Sequence, residues 1–354
     1  MKLPIITVVT PSFNQGEYIE ETICSVINQN YPKVEYIIID GGSTDKTISI
    51  LQKYNEDIDY WISEKDKGQT NAINKGFKIA KGEIISWINA DDKLYDGALD
   101  KVAEYFILHS DVDLIHGLGT YFNNNGKYWN INKNYNYIEA RYITHFAFDL
   151  QPSVFFRKRV FNKIGYLDED FNFQFDTEFF VRCALNFNFE KLSNRLSFFR
   201  EHYERKSHYG YKKLKYPKEL IKLYSRVLRS LDSCKIYGDI DKYINIAKNL
   251  NLYLKEDISY PVGKIFHKDI IIKSFFIYLK QCCIFFYSIM DYENTFSVLK
   301  LIRDKFPKLY YMDNDLYKIK SKLHIIKFIG IFPYGTGLWL RNRINYIRRI
   351  IQFK

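Results

Sequence analysis

The sequence predicts an α/β protein built on a doubly wound, mostly parallel sheet, with a mainly helical region after it. Two observations carry this reading. Short apolar runs rich in β-branched residues, Ile5 to Val9, Tyr36 to Ile39 and Ile84 to Ile88, alternate with stretches of helical periodicity. Beyond about Arg205 the strand pattern stops and helical patterns dominate. A βαβαβ order is that of a sheet covered by helices on both faces.

The opening residues, MKLPIITVVTPSFN, hold one lysine before a short apolar run that flows into Pro11-Ser12-Phe13-Asn14, and so read as a first strand rather than a signal peptide. Ile19, Thr22, Ile23, Val26 and Ile27 then recur at the spacing of one helix face. The second strand ends at Asp40-Gly41-Gly42-Ser43-Thr44-Asp45, where Ser43 and Thr44 are expected to cap a helix running toward Lys53. Asp66-Lys67-Gly68-Gln69 leads into a stripe of Ala72, Ile73, Gly76, Phe77 and Ala80, and Lys81-Gly82 supplies a helix stop. The third strand, with Trp87 expected in the core, ends on Asn89-Ala90-Asp91-Asp92.

At 354 residues the chain exceeds one ordinary core, and a division at about residue 208 is expected, with 1–208 and 209–354 as its two parts. A composition 47% hydrophobic and 18% aromatic excludes disorder. Five cysteines, Cys24, Cys183, Cys234, Cys282 and Cys283, lack C-x-x-C spacing and suit a reducing cytosol. Charge is unevenly placed. Met1 to Glu204 carries 22 Lys and Arg against 29 Asp and Glu, a balance of −7, whereas Arg205 to Lys354 carries 30 against 12, a balance of +18. Such asymmetry points to an acidic partner for the second part, and without a recognisable nucleic-acid module an anionic membrane surface is the better fit.

In the helical part, "YPKELIKLYSRVLRSL", "SFFIYLKQCCIFFYSIM" and "NTFSVLKLIRDKFPKLY" each read as a helix. Lys273, Lys280 and Gln281 interrupt the apolar stretch Ile270 to Met290, which is expected to be a buried or interfacial helix rather than a membrane span. Near the end, Leu340, Ile344, Ile347 and Ile351 share one face while Arg341, Arg348 and Arg349 lie elsewhere. That pattern fits an interfacial helix on anionic lipid or, equally, a terminal helix docked on the protein with solvated arginines.

Ligands of open α/β sheets bind beyond the carboxyl ends of the strands, so the polar clusters after the three strands should meet on one edge. Two adjacent carboxylates, Asp91 and Asp92, repel one another and suit a hard divalent cation that keeps positions open for phosphate oxygens. The plain alternative for such a pair is a solvated turn or cap. Asp40 before two glycines could accept a hydrogen bond from a base or ribose, or could simply form a turn.

Three stretches, "TVVTPSFNQGEYIEETICSVINQNYPKVEYIIIDGGSTDKT", "SEKDKGQTNAINKGFKIAKGEIISWINADD" and "QPSVFFRKRVFNKIGYLDEDFNFQFDTEFFVRC", resemble glycosyltransferase family 2, the inverting enzymes with a GT-A fold, over about residues 3–208. The resemblance implies roles by position. Asp40 stands where the family reads the nucleotide base, Asp66 in the loop that contacts sugar or nucleotide, and Asp91 and Asp92 at the diphosphate–metal motif. Pro11, Ser12, Phe13, Gly68, Gln69, Asn71 and Asn89 complete the implied nucleotide-sugar set, Asn71 replacing an Asp of many relatives. Asp176 resembles the general base. Because this chain has Phe175-Asp176 where the family often has Glu-Asp, Glu178 is a second candidate. In "FREHYERKSHY", His202 resembles the residue that completes the metal site, with Asp92 as the other ligand of a Mn²⁺ or Mg²⁺ ion.

The implied reaction is displacement at an anomeric carbon by an acceptor hydroxyl, which requires a carboxylate base and stabilisation of the departing diphosphate. The implied function is transfer of one sugar, with a UDP-sugar the expected donor, to a glycan or lipid-linked acceptor in bacterial surface polysaccharide assembly. Its expected setting is the cytoplasm or the inner face of the membrane, with oligomerisation left open. Processive relatives carry a Gln-x-x-Arg-Trp motif that Trp61, Trp87, Trp129 and Trp339 do not provide. Two other readings are a nucleotidyltransferase acting on sugar phosphates, whose Gly-rich basic N-terminal loop is missing, and an inactive scaffold, against which Asp91, Asp92 and Asp176 stand intact.

Overall fold

The computed structural model describes residues 2–130, 151–203, 205–206, 215–233, 258–264 and 268–328. Three parallel strands expected from the apolar runs form its centre: β1 (Ile6–Ser12), β2 (Val34–Asp40) and, after the edge strand β3 (Tyr60–Ser63), β4 (Ile84–Trp87). The sequence then adds β5 (Lys93–Leu94), β6 (Leu114–Asn123), β7 (Tyr128–Trp129), β8 (Val154–Arg157) and β9 (Phe189–Glu201). Among the described residues these make one nine-stranded sheet in the order β3-β2-β1-β4-β8-β6-β9-β5, with β7 paired to β6. The mixed half begins where β8 runs antiparallel to both β4 and β6.

Both faces of the central strands are buried, which is why they read as unbroken apolar runs. Val8, Tyr36, Ile38 and Ile84 face one layer, built by α1 (Ile19–Ile27), α2 (Thr47–Lys53) and α4 (Ala98–Leu108). Val9, Ile37, Ile39, Ile85 and Trp87 face the other, built by α3 (Gln69–Ile79), α5 (Val160–Ile164) and α6 (Phe175–Ala184). That second layer continues without a break into the helical part, α7 (Lys215–Ser233), α8 (Lys268–Ser288), α9 (Tyr292–Lys305), α10 (Pro307–Met312) and α11 (Asn314–Phe328). Trp87 is fully buried, stacked on Phe180 with centroids 5.4 Å apart and edge-on to Phe77, Phe156 and Phe179. Trp87→Ala should therefore cost about 3–5 kcal/mol of folding free energy in denaturant unfolding.

Three local expectations change. The stretch expected to cap α2 does so differently: the Ser43 hydroxyl donates to Asp40, while Asp45 accepts from the N–H groups of Thr47 and Gly16. The helix α3 ends at Ile79, and Gly82 matters through close approach instead, since a Cβ there would meet Thr7 Oγ1 at 2.4 Å and Thr7 N at 2.7 Å. "NTFSVLKLIRDKFPKLY" is two helices, because Pro307 cannot continue α9 but is well placed in the first turn of α10. No helix among the described residues is long and apolar enough to cross a membrane. The stretch from Leu340 to Ile351, with Arg341, Arg348 and Arg349, lies outside the described residues, as do Cys234 and Trp339. Cys24, Cys183, Cys282 and Cys283 are free thiols.

Candidate active site

Because β1, β2 and β4 are parallel neighbours, with Ser12 in register with Asp40 and Val9 with Trp87, their carboxyl ends deliver the expected polar clusters to one edge. There they border a cleft of about 690 Å³. Pro11, Ser12, Phe13, Asp66, Gly68, Gln69, Asn89, Asp91, Asp92, Asp176 and His202 all line it. Asp40, Asn71 and Glu178 do not.

The turn after β4 sets the two carboxylates differently. Asp92 turns its carboxylate inward: it is 1% exposed, Oδ1 accepts the N–H of Arg200 at 3.0 Å, and Oδ2 accepts from Asn89 Nδ2 at 3.2 Å. Burial pushes this carboxyl well above the usual range, and the neighbouring charge of Asp91 adds to the shift. The oxygen beside the imidazole belongs instead to Asp91, whose Oδ2 lies 3.0 Å from His202 Nε2. Asp92, expected as the metal ligand, lies buried at the cleft with its oxygens held by Arg200 and Asn89, while Asp91 is the carboxylate that faces His202.

His202 reaches this position from the end of β9. Arg200, two residues earlier, donates from Nε to the carbonyl of Asp91 at 2.9 Å and from Nη1 to Asn124 at 3.0 Å, and its Nη2 pairs with Glu21 at 3.1 Å. Its guanidinium also lies over the rings of Tyr18 and Phe122. The imidazole packs on Tyr18 with centroids 4.8 Å apart, and its Nδ1 is buried without a hydrogen-bond partner. A carboxylate oxygen and an imidazole nitrogen facing one another fit a divalent cation that takes its other ligands from phosphate oxygens. Among the described residues no three His, Cys, Asp or Glu side chains group closely enough to hold an ion by themselves.

Asp176 opens α6 and faces the cleft, its Oδ1 accepting the N–H of Thr177 at 2.7 Å. Burial raises its carboxyl above the ordinary aspartate range, against the opposing pull of the Thr177 hydrogen bonds and the Lys206 charge. Glu178 lies fully buried behind it, in a bidentate pair with Arg182 at 2.7 and 2.9 Å. Arg182 in turn donates to the carbonyls of Ile164 and Tyr166. Glu178 therefore joins α6 to the turn after α5 and has no path to a substrate in the cleft, which leaves Asp176 as the candidate base.

Asp40 is also fully buried: it accepts from the N–H groups of Gly42 and Ser43 and from the hydroxyls of Ser43 and Ser63. Its carboxylate shapes the loop behind the cleft wall. Gly41 gives that wall its closeness, since a Cβ there would meet Asp66 Oδ2 at 2.9 Å. Asn71 faces away, donating to Glu169 at 3.0 Å.

Sequence reasoning missed the basic rim of the cleft, Lys65, Arg205 and Lys206, and the aromatic residues Phe173, Phe175 and Tyr216. Lys206 Nζ donates to Gln69 at 3.2 Å, Gln69 donates to Asn89 at 2.8 Å, and Asn89 donates to Asp92, so one polar chain crosses the floor. The signal for Arg205 and Lys206 was their place just after the Arg-x-His element that ends in His202.

Comparison with known proteins places this geometry. Residues 7–165 match the model of the family described as glycosyl transferase family 2. A putative teichuronic acid biosynthesis glycosyltransferase, TuaG, of Bacillus subtilis is 38% identical over 110 residues, 30% of this chain and 44% of that protein. A PGL/p-HBAD biosynthesis glycosyltransferase of Mycobacterium bovis is 26% identical over 190 residues, 52% of this chain and 72% of that protein. The chain spans less than half the length of the first three curated relatives that it matches. Among solved structures, S. aureus TarS 1-349 in complex with UDP-GlcNAc superposes with a TM-score of 0.57 at 18% identity, covering 85% of this chain and 92% of that one. The mannosyltransferase PcManGT from Pyrobaculum calidifontis, in complex with GDP-Man and Mn²⁺, gives 0.51 at 15% identity, covering 86% and 76%. At these identities the likeness establishes the fold. Over residues 7–165, a little under half of its length, the chain is similar to glycosyl transferase family 2, and its fold is GT-A with a helical C-terminal region.

Proposed function

We propose that the protein transfers a single sugar, with inversion, from a UDP-sugar to a hydroxyl of a glycan or lipid-linked acceptor in the assembly of a surface polysaccharide. The observation that carries this is the meeting, in one cleft, of a carboxylate–imidazole pair suited to a cation and a diphosphate with a separate half-buried carboxylate suited to deprotonate an acceptor. Support for the donor and the setting comes from relatives: TarS was solved with UDP-GlcNAc, and two of the curated matches are named for teichuronic acid and PGL/p-HBAD biosynthesis.

In this mechanism Asp176 accepts the proton of the acceptor hydroxyl as its oxygen bonds to the anomeric carbon and the bond from that carbon to the diphosphate breaks. Attack from the side opposite the leaving group inverts the anomeric centre. Asp91 and His202 would hold the divalent cation, which supplies Lewis-acid neutralisation of the leaving nucleoside diphosphate. Arg205 and Lys65 add positive charge along the same cleft. Asp92, tied to the Arg200 N–H, keeps the turn that aims Asp91. Phe173, Phe175 and Phe199 give the cleft an apolar wall against which the acceptor can pack.

A panel of UDP-, GDP- and TDP-sugars with Mn²⁺ tests the proposal. One UDP-sugar should raise the melting temperature and be slowly split to UDP, and EDTA should abolish both effects. A panel without any metal-dependent response would remove the transferase reading.

A further inference from the structure

Three consecutive backbone N–H groups, those of Asn172, Phe173 and Gln174, converge on one side chain of the helical part. Glu219 on α7 accepts from Asn172 at 3.1 Å through Oε1, and from Phe173 and Gln174 at 2.8 Å each through Oε2. Gln174 is the residue just before α6, and Asp176 follows two positions later. None of these three N–H groups belongs to a strand or helix ladder, so the carboxylate supplies what regular structure does not.

The same helix grips the residues on either side. Arg226 pairs with Asp168 and lies over the ring of Phe171 at 5.1 Å. Tyr216, one helical turn before Glu219, sets its ring 5.9 Å from that of Phe173, and both rings line the cleft with Asp176. The segment carrying the candidate base thus has its backbone fixed by a residue more than forty positions away.

We infer that Glu219 is a positioning residue for the transfer reaction: by binding the N–H groups of Asn172 to Gln174 it holds Asp176 and the Phe173–Tyr216 wall in the arrangement that receives the acceptor. The inference rests on the transferase reading above. Its physical basis is the geometry of three charge-assisted hydrogen bonds on a segment otherwise held by side chains. Without them the three donors turn to water and the start of α6 shifts, and a displacement of about 1 Å at a reacting group costs on the order of 100-fold in rate.

The test compares wild type with Glu219→Gln and Glu219→Ala, using the nucleotide sugar that the panel selects and water as the nucleophile. Glu219→Ala should lower kcat for donor hydrolysis roughly 10- to 100-fold, with donor KM and Mn²⁺-dependent UDP affinity held within about twofold. Hydrogen exchange should quicken at Asn172 to Gln174, while amides of β1 and β4 keep their protection. Glu219→Gln, which keeps one acceptor oxygen and the same shape, should fall between the two and serves if the alanine variant folds poorly. Wild-type kcat in a variant whose three amides exchange freely would overturn the proposal. So would parallel loss of kcat and UDP affinity in step with a lowered melting temperature, the mark of a purely structural role. A wild-type protein that splits no nucleotide sugar would instead refute the function, and the role of Glu219 with it.

Discussion

Asp176→Asn should lower sugar transfer on the order of 10²- to 10⁴-fold, the range that a positioned general base supplies, while donor and metal affinity stay unchanged. The amide keeps the shape and can still accept the Thr177 N–H, so the loss would report the missing base and not a broken helix start. The pH dependence provides a second signature. Burial holds the Asp176 carboxyl above its ordinary value, and only the ionised form accepts a proton, so the acid limb of the kcat/KM profile should lie above the usual aspartate range of about 3.9. Stability carries the opposite sign. A carboxyl whose folded value is raised contributes stability that is fully present below its unfolded value and is lost as pH rises through the folded one. Urea unfolding should therefore show the Asn variant gaining on wild type as pH rises through that window. A variant that retains turnover, or an acid limb in the ordinary range, would require another base; Glu178, locked to Arg182, is not available for it.

Asp91→Asn should abolish the Mn²⁺-dependent part of nucleotide binding, a loss larger than the roughly 10- to 100-fold that removal of an outer partner of a metal ligand causes. Calorimetric titration of UDP with Mn²⁺ and with EDTA measures it: the two curves of the variant should coincide. His202→Ala should act in the same direction through the other half of the pair. Asp92→Asn separates the neighbours, because its remaining oxygen can still accept the Arg200 N–H. It should leave much of the metal response intact. If Asp92→Asn erases the response and Asp91→Asn spares it, the roles assigned to the two carboxylates are reversed.

The sequence exposed those parts of the molecule whose physics is local. β1, β2 and β4 were legible because strands buried on both faces must be apolar throughout, and α1 and α3 because Ile19 to Ile27 and Ala72 to Ala80 repeat at helical spacing. The edge where Ser12, Asn89 and Asp91 meet followed from parallel order alone. The mixed half of the sheet was not read, since β6, β8 and β9 interleave antiparallel and parallel pairs across long separations. Side-chain direction was hidden as well. Asp91 and Asp92 are equivalent as letters, and one is held inward by Asn89 and by the Arg200 N–H, more than a hundred residues away. The four hydrogen bonds that Asp40 accepts were hidden too, because they come from hydroxyls and amides that no motif announces. Lys206 and Glu219 were missed for the same reason: each acts on residues distant in the chain.

The route of β9 has a consequence for how the protein comes into being. Asp92 has its backbone partner only once Arg200 has arrived, and Asp91 meets His202 only when the strand is docked to its end. During synthesis the strands β1 to β4, all within the first ninety residues, can pair before β9 is made, yet their ligand edge stays an open pair of repelling acids. Long-range pairing of this kind forms slowly. The site is therefore complete only once β9 has docked, and a chain without that docking would lack the Asp91–His202 pair.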